Sequence, residues 1–557
     1  MSQPRFLPLW LAVLSVMSLF SLTAAAQADS KIQRVLLISI DGMHSVDFAN
    51  CAKGVPIYGN QTYCPHLAML SSTGVHYLQA LTSKPSDSFP GLVAQITGGT
   101  PRSAGIFYDV SYDRALSPPA KTTPYGIVGG PKLCPSVIGT QVGFDEEIDY
   151  NLTKLDSGKP DGSSGVNGIN PDYLPRDPKN SCAPVYPHTY LRDNTIFNVV
   201  KNSGGYTAWS DKHPSYDFTN GPSGDGVDDL WSPEINSIPV ALASVPGCSP
   251  LPDPGAAQST NAWTDSFQNI RCYDQYKVQA VLNWIDGKTH DGSSSAPVPN
   301  LFGMNFQSVS VGEKLVEKSL GLTGGYVDAL GTPSDSLFAE IQYVDGAVGQ
   351  FVAELKKQGL SDSTLIIISA KHGQSPIDIN RVLRIPGDVP TDEPPSQILS
   401  PGGVGPGLPV AQADEDDISM LWLTDQSQTE SSVATLAANE NLFGQGEIFA
   451  GPPLTLQFND PLTDSRTPDI IVAPNVGVIY TGGTGKVSEH GGFAYDDRNV
   501  LLIVSNPKYK PSTFNDQVET RQIAPTIVKA LGLAPSLLNA VQSEHTETLP
   551  GLPFTQK

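Results

Sequence analysis

Short, continuous apolar runs along the chain predict strands that are buried on both faces of a sheet. The clearest runs are Arg34 to Ile40, Thr364 to Ser369 and Asn499 to Val504, and each has the length of a strand. Between them, apolar residues recur with helical spacing from Leu337 to Gln358 and from Gln522 to Leu531. Buried strands that alternate with helices predict an α/β fold, with a mostly parallel central sheet and helices on both faces.

Polar residues follow two of these strands directly. Asp41-Gly42 comes after the first strand, and Lys371-His372-Gly373 comes after the second. Ligands of parallel sheets bind beyond the carboxyl ends of the strands, so we expect Asp41 and His372 to share a site. Two plainer interpretations stay open, because Asp41 could cap a helix and an isolated histidine is more often structural than a ligand.

Two segments differ in composition from the predicted strands and helices. Residues 111–188 are rich in Pro, Gly, Ser and Asp, and residues 211–300 form a second excursion. We interpret both as irregular cap segments, inserted into one domain that spans residues 29–557. They carry no motif that identifies a substrate.

The N-terminus has the order of a secretory signal peptide. Arg5 precedes an uncharged apolar run from Leu7 to Leu22, and Thr23 to Ala28 offers small residues for cleavage. A retained anchor is the alternative, but the run is short for a membrane span. We predict a signal peptide at residues 1–28, a secreted protein (extracellular or periplasmic), and no membrane span after signal removal.

The cysteines agree with an oxidising compartment. An even number, six, follows the predicted signal peptide, which predicts three disulfide bonds. Six cysteines allow fifteen connectivities, which the sequence leaves open. Sequential pairing is favoured because each bond would then close a Pro/Gly-rich loop. The predicted pairs are Cys51 with Cys64, Cys134 with Cys182, and Cys248 with Cys272.

The charge of the chain excludes one class of partner. The net charge is −22, and no cluster of Lys and Arg occurs along the sequence. Binding along a nucleic-acid backbone requires a basic stripe. We therefore expect no wrapping of nucleic acid, although a polyanion could still be cleaved at a single deep site.

Two further residues could take part in chemistry. Ser88 precedes Phe89-Pro90 at the start of an apolar helical stretch, where a helix N-terminus would favour a phosphate; simple N-capping is the alternative. His490 lies in a glycine-flanked turn before the third strand. A dication held by carboxylate and imidazole would activate a hydroxyl and neutralise phosphoryl oxygens.

The order of the motifs resembles a known family. Taken together, the motifs resemble the nucleotide pyrophosphatase/type I phosphodiesterase branch of the alkaline phosphatase superfamily, from Val35 to about Leu533. The motifs are Ile40-Asp41-Gly42, Ser88-Phe89-Pro90, Lys371-His372-Gly373, His490-Gly491-Gly492 and Ile523-Ala524-Pro525-Thr526.

The resemblance implies a role for each matching residue. Asp41, Ser88, His372 and His490 would bind a divalent metal, zinc, as one or two ions. Ser88 would also be the nucleophile and would form a covalent phospho-enzyme.

Several positions depart from the family pattern. The family's Asp before His is Lys371, its Asp-x-x-x-His pair corresponds to Gln307 and Val311, and its Asn after Phe-Pro is Gly91. These changes would leave His490 alone at one metal.

Lysine could replace part of the lost charge. Lys371 could act in catalysis by supplying fixed positive charge, or it could turn outward into an ordinary ion pair. Asp211-Lys212-His213 follows a strand predicted at Tyr206 to Trp209. This motif could add polar groups to the site or could be a capped turn.

The sequence therefore predicts a secreted, metal-dependent hydrolase of small phosphorylated substrates. It would be of the phosphodiesterase/pyrophosphatase type and would act through a phospho-serine. The alternative is a catalytically impaired relative that binds a phosphorylated ligand or partner without turnover. A sulfatase is disfavoured because Leu92 stands where that family needs Arg, and no Gly-x-Ser-x-Gly elbow of an esterase occurs. The preference between monoesters and diesters and the oligomeric state stay open.

Overall fold

The computed structural model describes residues 1, 32–119, 134, 138–150, 155, 168–237, 263–388 and 391–554. Its two larger sheets contain strands β1 Arg34–Ile40, β2 Gly74–Leu81, β3 Thr207–Ser210, β4 Asp229–Leu230, β5 Leu301–Phe306, β6 Thr364–Ser369, β7 Val410–Glu415, β8 Ser419–Leu423, β9 Gln445–Ala450, β10 Ile470–Pro474, β11 Ile503–Ser505 and β12 Ser512–Glu519. The predicted signal peptide, apart from Met1, lies outside the described residues.

The predicted α/β fold with a mostly parallel sheet is confirmed. In the described part of the chain, an eight-stranded sheet has the order β12-β2-β11-β6-β1-β5-β3-β4. β6, β1, β5, β3 and β4 run parallel to one another, and β2 runs parallel to β12. All seven residues of β1 except Arg34 are buried, because this strand lies in the middle of the sheet with helices on both sides.

The third predicted strand differs from the sequence prediction. β11 begins at Ile503 rather than at Asn499, and it runs antiparallel to β6 and β2. Ile503 pairs with Ile368, near the carboxyl end of β6. The chain that enters β11 therefore arrives at the carboxyl edge of the parallel strands, which is the edge where His490 is needed.

Helices cover both faces of the central sheet. The helices of the described residues are α1 Ser45–Lys53, α2 Pro65–Ser71, α3 Ser88–Thr97, α4 Pro101–Ala104, α5 Pro187–Tyr190, α6 Ile196–Asn202, α7 Phe267–Ile285, α8 Ser308–Lys314, α9 Asp335–Lys357, α10 Pro395–Leu399, α11 Thr429–Ala438, α12 Pro452–Thr455, α13 Tyr495–Arg498, α14 Ile523–Ala530 and α15 Asn539–Glu544. One core contains residues of α3, α6 and α14 with Val35 and Leu37 of β1. The opposite core contains residues of α1, α2, α7 and α9 with Leu36 and Ile38.

The two predicted amphipathic helices are confirmed as α9 and α14. The side chain of Ser334 accepts a hydrogen bond from the backbone N–H of Leu337 and caps α9. Pro525 lies in the first turn of α14, where its missing N–H costs no helical hydrogen bond.

A second, antiparallel sheet was not foreseen. Its order is β7-β8-β10-β9. One of its faces packs against Phe107 and Tyr108 through Met420, Trp422 and Ile471. This contact holds the segment after α4 close to the carboxyl edge of the central sheet.

The two cap segments contain more regular structure than their composition indicates. In residues 111–188, short antiparallel pairs join Val110–Asp113 to Thr140–Gly143 and Arg176–Asp177 to Ala183–Pro184. Residues 211–300 are not irregular throughout, since they include edge strand β4 and the 19-residue helix α7, which packs on the central sheet. Buried polar residues in α7, such as Asp274 and Lys277, interrupt the apolar pattern that would have predicted this helix. The division into one domain with two caps stays a prediction.

Two of the three predicted disulfide bonds are present, Cys51–Cys64 and Cys134–Cys182. Cys272 is also disulfide-bonded, whereas Cys248, its predicted partner, lies outside the described residues. Among the helices of the described ranges, none is long and apolar enough to cross a bilayer.

Candidate active site

The carboxyl edge of the central sheet brings the predicted residues together. Asp41 follows β1, Lys371 and His372 lie after β6, and Gln307 follows β5. Ser88 is the first residue of α3. Since the carboxyl ends of parallel strands meet at one edge, residues far apart in sequence converge there.

Ser88 lies at the centre of this group and is 1% exposed. Its Oγ is 3.1 Å from Nε2 of His372 and 3.3 Å from Oδ2 of Asp41. The Nζ of Lys212 donates to the same Oγ at 3.4 Å. The Oδ1 of Asp87 accepts the N–H of Phe89 at 2.9 Å and caps α3, so Ser88 itself is not needed as the cap.

Gly91 explains how closely α3 approaches the sheet. A Cβ at this position would lie 2.1 Å from the carbonyl oxygen of Lys371. The departure from the family's Asn therefore lets the helix pack directly on the backbone beside His372.

Asp41 is fully buried, and its Oδ2 is surrounded by donors. Gln307 donates through Nε2 at 2.7 Å and Asn305 through Nδ2 at 3.3 Å. The Nζ of Lys371 is 3.8 Å away. Burial by itself raises the pKa of Asp41, but the charge of Lys371, with the contact of His372 and the charge of Lys212, outweighs burial and holds the pKa well below its ordinary value.

Lys371 points into the site, so the outward ion pair does not occur. Its Nζ is 2.7 Å from Oδ1 of Asp211 and 4.0 Å from the ring centre of Tyr216, and the side chain is 0% exposed. Burial lowers the pKa of Lys371, and the carboxylates of Asp211 and Asp41 oppose that shift.

Lys212 is a site residue that the sequence indicated only as part of the motif Asp211-Lys212-His213, with a capped turn as the alternative. Besides Ser88, its Nζ faces Oε1 of Glu146 at 3.9 Å, a residue of the first cap segment. Burial works against its charge, but Glu146, Asp41 and Asp109 raise its pKa above the ordinary value. Lys212 comes two residues after β3, so the rule that pointed to Asp41 also pointed here.

His490 lies beside His372 but contacts neither Ser88 nor Asp41 by a hydrogen bond in the described residues. The two imidazole rings are 4.2 Å apart, and the Nδ1 of His490 is 3.7 Å from Oδ2 of Asp87. Burial lowers the pKa of both histidines, which favours neutral rings. The Nδ1 of His372 donates to the carbonyl oxygen of Gly373 at 2.9 Å, which leaves Nε2 as an acceptor facing Ser88.

The residues do not fit a pair of metal ions. Val311 offers no donor atom, and Gln307 turns its amide nitrogen toward Asp41. Asp41 Oδ2, Ser88 Oγ and His372 Nε2 are 3.1 to 3.7 Å apart, which matches three ligands of a single tetrahedral ion. However, two ammonium groups lie within 4 Å of these same atoms, and a buried dication beside them would be costly.

A second cluster, next to the candidate active site, has three side chains close enough together to bind a metal ion. Ligand atoms of His44, Asp47 and Glu313, all buried, lie within 4.8 Å of one another. The Oη of Tyr326 lies 3.0 Å from Oδ1 of Asp47 and 2.9 Å from Oε1 of Glu313, so its one proton can be donated to either carboxylate, and the Nε2 of Gln374 donates to Glu313. These hydrogen bonds complete the cluster without an ion.

Comparisons with known proteins agree with this fold. A family model described as type I phosphodiesterase/nucleotide pyrophosphatase matches residues 35–129 and 239–496. Murine ectonucleotide pyrophosphatase/phosphodiesterase 5, in an inactive form in complex with AMP, is similar at a TM-score of 0.52 and 13% identity, over 90% of this chain and 96% of that chain. The human protein gives 0.50 and 14%, with the same coverage. At such identities the solved structures show the fold alone, and no curated protein matches.

Proposed function

Because the chain belongs to the type I phosphodiesterase/nucleotide pyrophosphatase family of phosphoric ester hydrolases, we propose that it hydrolyses small phosphorylated substrates through a phospho-serine at Ser88. The observation that carries the proposal is the position of Ser88. Its hydroxyl lies at the N-terminus of a ten-residue helix, between an imidazole acceptor and an ammonium group. A helix N-terminus and a lysine both favour a phosphoryl group there.

The first step transfers the phosphoryl group to the protein. Ser88 gives its proton to Nε2 of His372, and Oγ attacks phosphorus as the bond to the leaving oxygen breaks. The leaving oxygen departs on the opposite side and takes a proton from water. The ammonium groups of Lys212 and Lys371 offset the negative charge that develops on the phosphoryl oxygens.

The second step frees the serine. Water attacks phosphorus and releases one proton to solvent, which balances the proton that the leaving oxygen took in the first step. His372 passes its proton to Oγ of Ser88, so the phosphorus–Oγ bond breaks and phosphate or a phosphomonoester leaves. Asp41 positions the reacting groups, since its Oδ2 lies 3.3 Å from Ser88 Oγ and 3.7 Å from His372 Nε2.

Metal binding by Asp41, Ser88, His372 and His490 stays a prediction, and the two steps above do not depend on it. Asp41, Ser88 and His372 offer one place for a zinc ion at most, and His490 would need ligands that Gln307 and Val311 do not provide. Metal content of the purified protein, measured by mass spectrometry, tests this point.

We also propose that the protein is secreted. Disulfide bonds at Cys51–Cys64 and Cys134–Cys182 support an oxidising compartment. The full chain is expressed in its source organism, and the protein recovered from the medium is sequenced from its N-terminus. The mature chain should start near Asp29. Protein kept in the cytosol with an intact Met1 would contradict secretion.

Turnover is tested with a bis-aryl phosphate, an aryl monophosphate and a dinucleotide. Ser88→Ala should lose at least about a thousandfold in kcat/KM, because the nucleophile is removed. The exposed residue Ser431 provides the matched control, and Ser431→Ala should keep full activity. Acid-quenched protein should carry phosphate on the peptide that contains Ser88.

The alternative, a relative that binds without turnover, has one observation in its favour. Lys371 forms a buried pair with Asp211 where the family has a metal-ligating carboxylate. Binding of AMP or phosphate with no turnover of any of the three substrates, with or without added zinc, would establish that alternative.

A further inference from the structure

We propose that Lys371 and Lys212 take the place of the family's metal ions, so that this site binds and stabilises a phosphoryl group without a bound metal. The inference rests on the proposed function, because that function identifies the ligand as a phosphoryl group. Its tests include binding measurements that do not require turnover. Three features of the described residues carry it: the lost ligands, the ammonium groups and the donors around Oδ2 of Asp41.

Three positions that carry metal ligands in the family carry other residues in this chain. Val311 is 9% exposed and packs among Ile235, Trp263 and Tyr273 in an apolar cluster. Gln307 donates to Asp41, where a metal ligand would have to present an electron pair. The third position, Lys371, carries a cation of its own.

Lys371 is held as a site residue rather than as a surface charge. A fully buried ammonium group is costly unless it is paired, and this one has Asp211 at 2.7 Å, Asp41 at 3.8 Å and the face of Tyr216 at 4.0 Å. Asp211 is itself fixed by the indole N–H of Trp209 at 3.0 Å. The chain thus keeps one positive charge at a defined point beside Asp41.

Lys212 supplies the second charge on the side of the nucleophile. Its Nζ is 3.4 Å from Ser88 Oγ, so a phosphoryl group on Ser88 would lie within its reach. Glu146 is the nearest carboxylate in an ion pair with Lys212, at 3.9 Å, which is long enough to leave the ammonium group free to contact a ligand.

The oxygen of Asp41 that faces Ser88, Oδ2, is already surrounded by donors. Oδ2 of Asp41 has Gln307 Nε2 at 2.7 Å, Asn305 Nδ2 and Ser88 Oγ each at 3.3 Å, and Lys371 Nζ at 3.8 Å. A metal bound to Oδ2 would have to displace these groups and lie beside the ammonium group of Lys371. Lysine requires neither change.

The first experiment uses the purified full chain after treatment with a strong chelator. The metal content should be far below one equivalent, and calorimetry should show inorganic phosphate bound with unchanged affinity. Hydrolysis of the aryl phosphates should also be unchanged. Stoichiometric zinc in the untreated protein, with phosphate binding lost on chelation and restored by zinc, would overturn the inference even if hydrolysis is observed.

The second experiment converts the site. Lys371→Asp restores a carboxylate beside His372, Asp41 and Ser88, and it should bind about one equivalent of zinc. Lys371→Met should gain no zinc and should weaken phosphate binding by about tenfold or more. Zinc binding that is equal in the wild-type chain and in Lys371→Asp would contradict the proposed replacement.

A double variant serves as the control for loss of folding. Lys371→Met leaves Asp211 buried without its partner, so the double variant Lys371→Met with Asp211→Asn removes both charges. Lys212→Met tests the second lysine separately and should weaken phosphate binding by about tenfold. Phosphate affinity that stays at the wild-type value in the folded double variant and in Lys212→Met would overturn the inference. If chelated wild type binds phosphate but never turns over, the proposed function fails and the lysine site stands.

Discussion

Two polar clusters lie on either side of Gly42 and are built in opposite ways. One is the candidate active site around Asp41, and the other is the cluster of His44, Asp47 and Glu313. Gly42 has a φ of 88°, and a Cβ there would lie 2.4 Å from Oε2 of Glu313. A glycine is therefore required for the chain to pass between the two clusters.

The cluster of His44, Asp47 and Glu313 is complete. The Oδ2 of Asp47 accepts from the backbone N–H of His44 at 2.8 Å, and its Oδ1 accepts from Tyr326 at 3.0 Å. Burial opposes a charge on His44, but Glu313 and Asp47 outweigh it and raise the pKa of His44 well above its ordinary value. Every carboxylate oxygen has a partner, as expected of a structural network.

The candidate active site is incomplete. Oδ1 of Asp41, Oδ2 of Asp87 and Oδ1 of Asn305 are buried without a hydrogen-bond partner in the described residues. Unpaired buried polar atoms lower stability and are kept where a ligand uses them. The two clusters thus differ in whether their buried polar atoms have hydrogen-bond partners. The distances between potential metal ligands alone would have pointed to the cluster of His44, Asp47 and Glu313.

The largest effect is expected from Glu313→Ala. The free energy of unfolding should fall by about 3–5 kcal/mol, because the change removes one partner of a buried, hydrogen-bonded group. Urea unfolding of the full chain measures this loss, and kcat per folded molecule should be unchanged. Glu313→Gln keeps an acceptor and should lose less. A loss below about 1 kcal/mol would mean that this buried cluster contributes no more to stability than an exposed ion pair does.

Asp47→Asn should have a smaller effect of the same sign. Its amide nitrogen would face the donors of His44, so the free energy of unfolding should fall by about 1–3 kcal/mol. Thermal unfolding measures the change, again with unaltered kcat for the folded protein. Unaltered stability would mean that the hydrogen bonds of Asp47 contribute nothing.

Asp87→Asn should have the smallest effect and the opposite sign. Burial and the charge of Asp109 raise the pKa of Asp87 well above 3.8, so the folded chain binds this proton more tightly than the unfolded chain does. The stability contributed by Asp87 is present at low pH and is lost as the pH rises above 3.8. Asn can still cap α3, so the variant should gain about 1 kcal/mol at neutral pH.

The gain of Asp87→Asn should disappear in acid. Urea unfolding at a pH near 3.5 and at neutral pH measures the difference, with wild type and variant equal at the lower pH. A variant that is less stable than wild type at neutral pH would show that Asp87 supports the fold as Asp47 does, and the contrast between the clusters would fail.

Much of the site was predictable because it depends on local patterns. Buried runs such as Arg34 to Ile40 and Thr364 to Ser369 locate central strands, and the residues that follow them must share one edge. This reasoning placed Asp41 and His372 correctly near each other. The same reasoning also indicated Lys212, after the strand predicted at Tyr206 to Trp209, but it left a capped turn as the alternative.

The sequence by itself determined the sheet, its helices and the edge at which polar groups gather, because periodicity and strand ends are local properties of the chain. The direction of β11, the second sheet around β8 and β10, and the inward orientation of Lys371 depended on the tertiary structure. The partner of Lys371, Asp211, is 160 residues away in sequence. Only the folded chain decides whether an ammonium group points to such a partner or to water, because the energy that selects its orientation comes from contacts between distant segments.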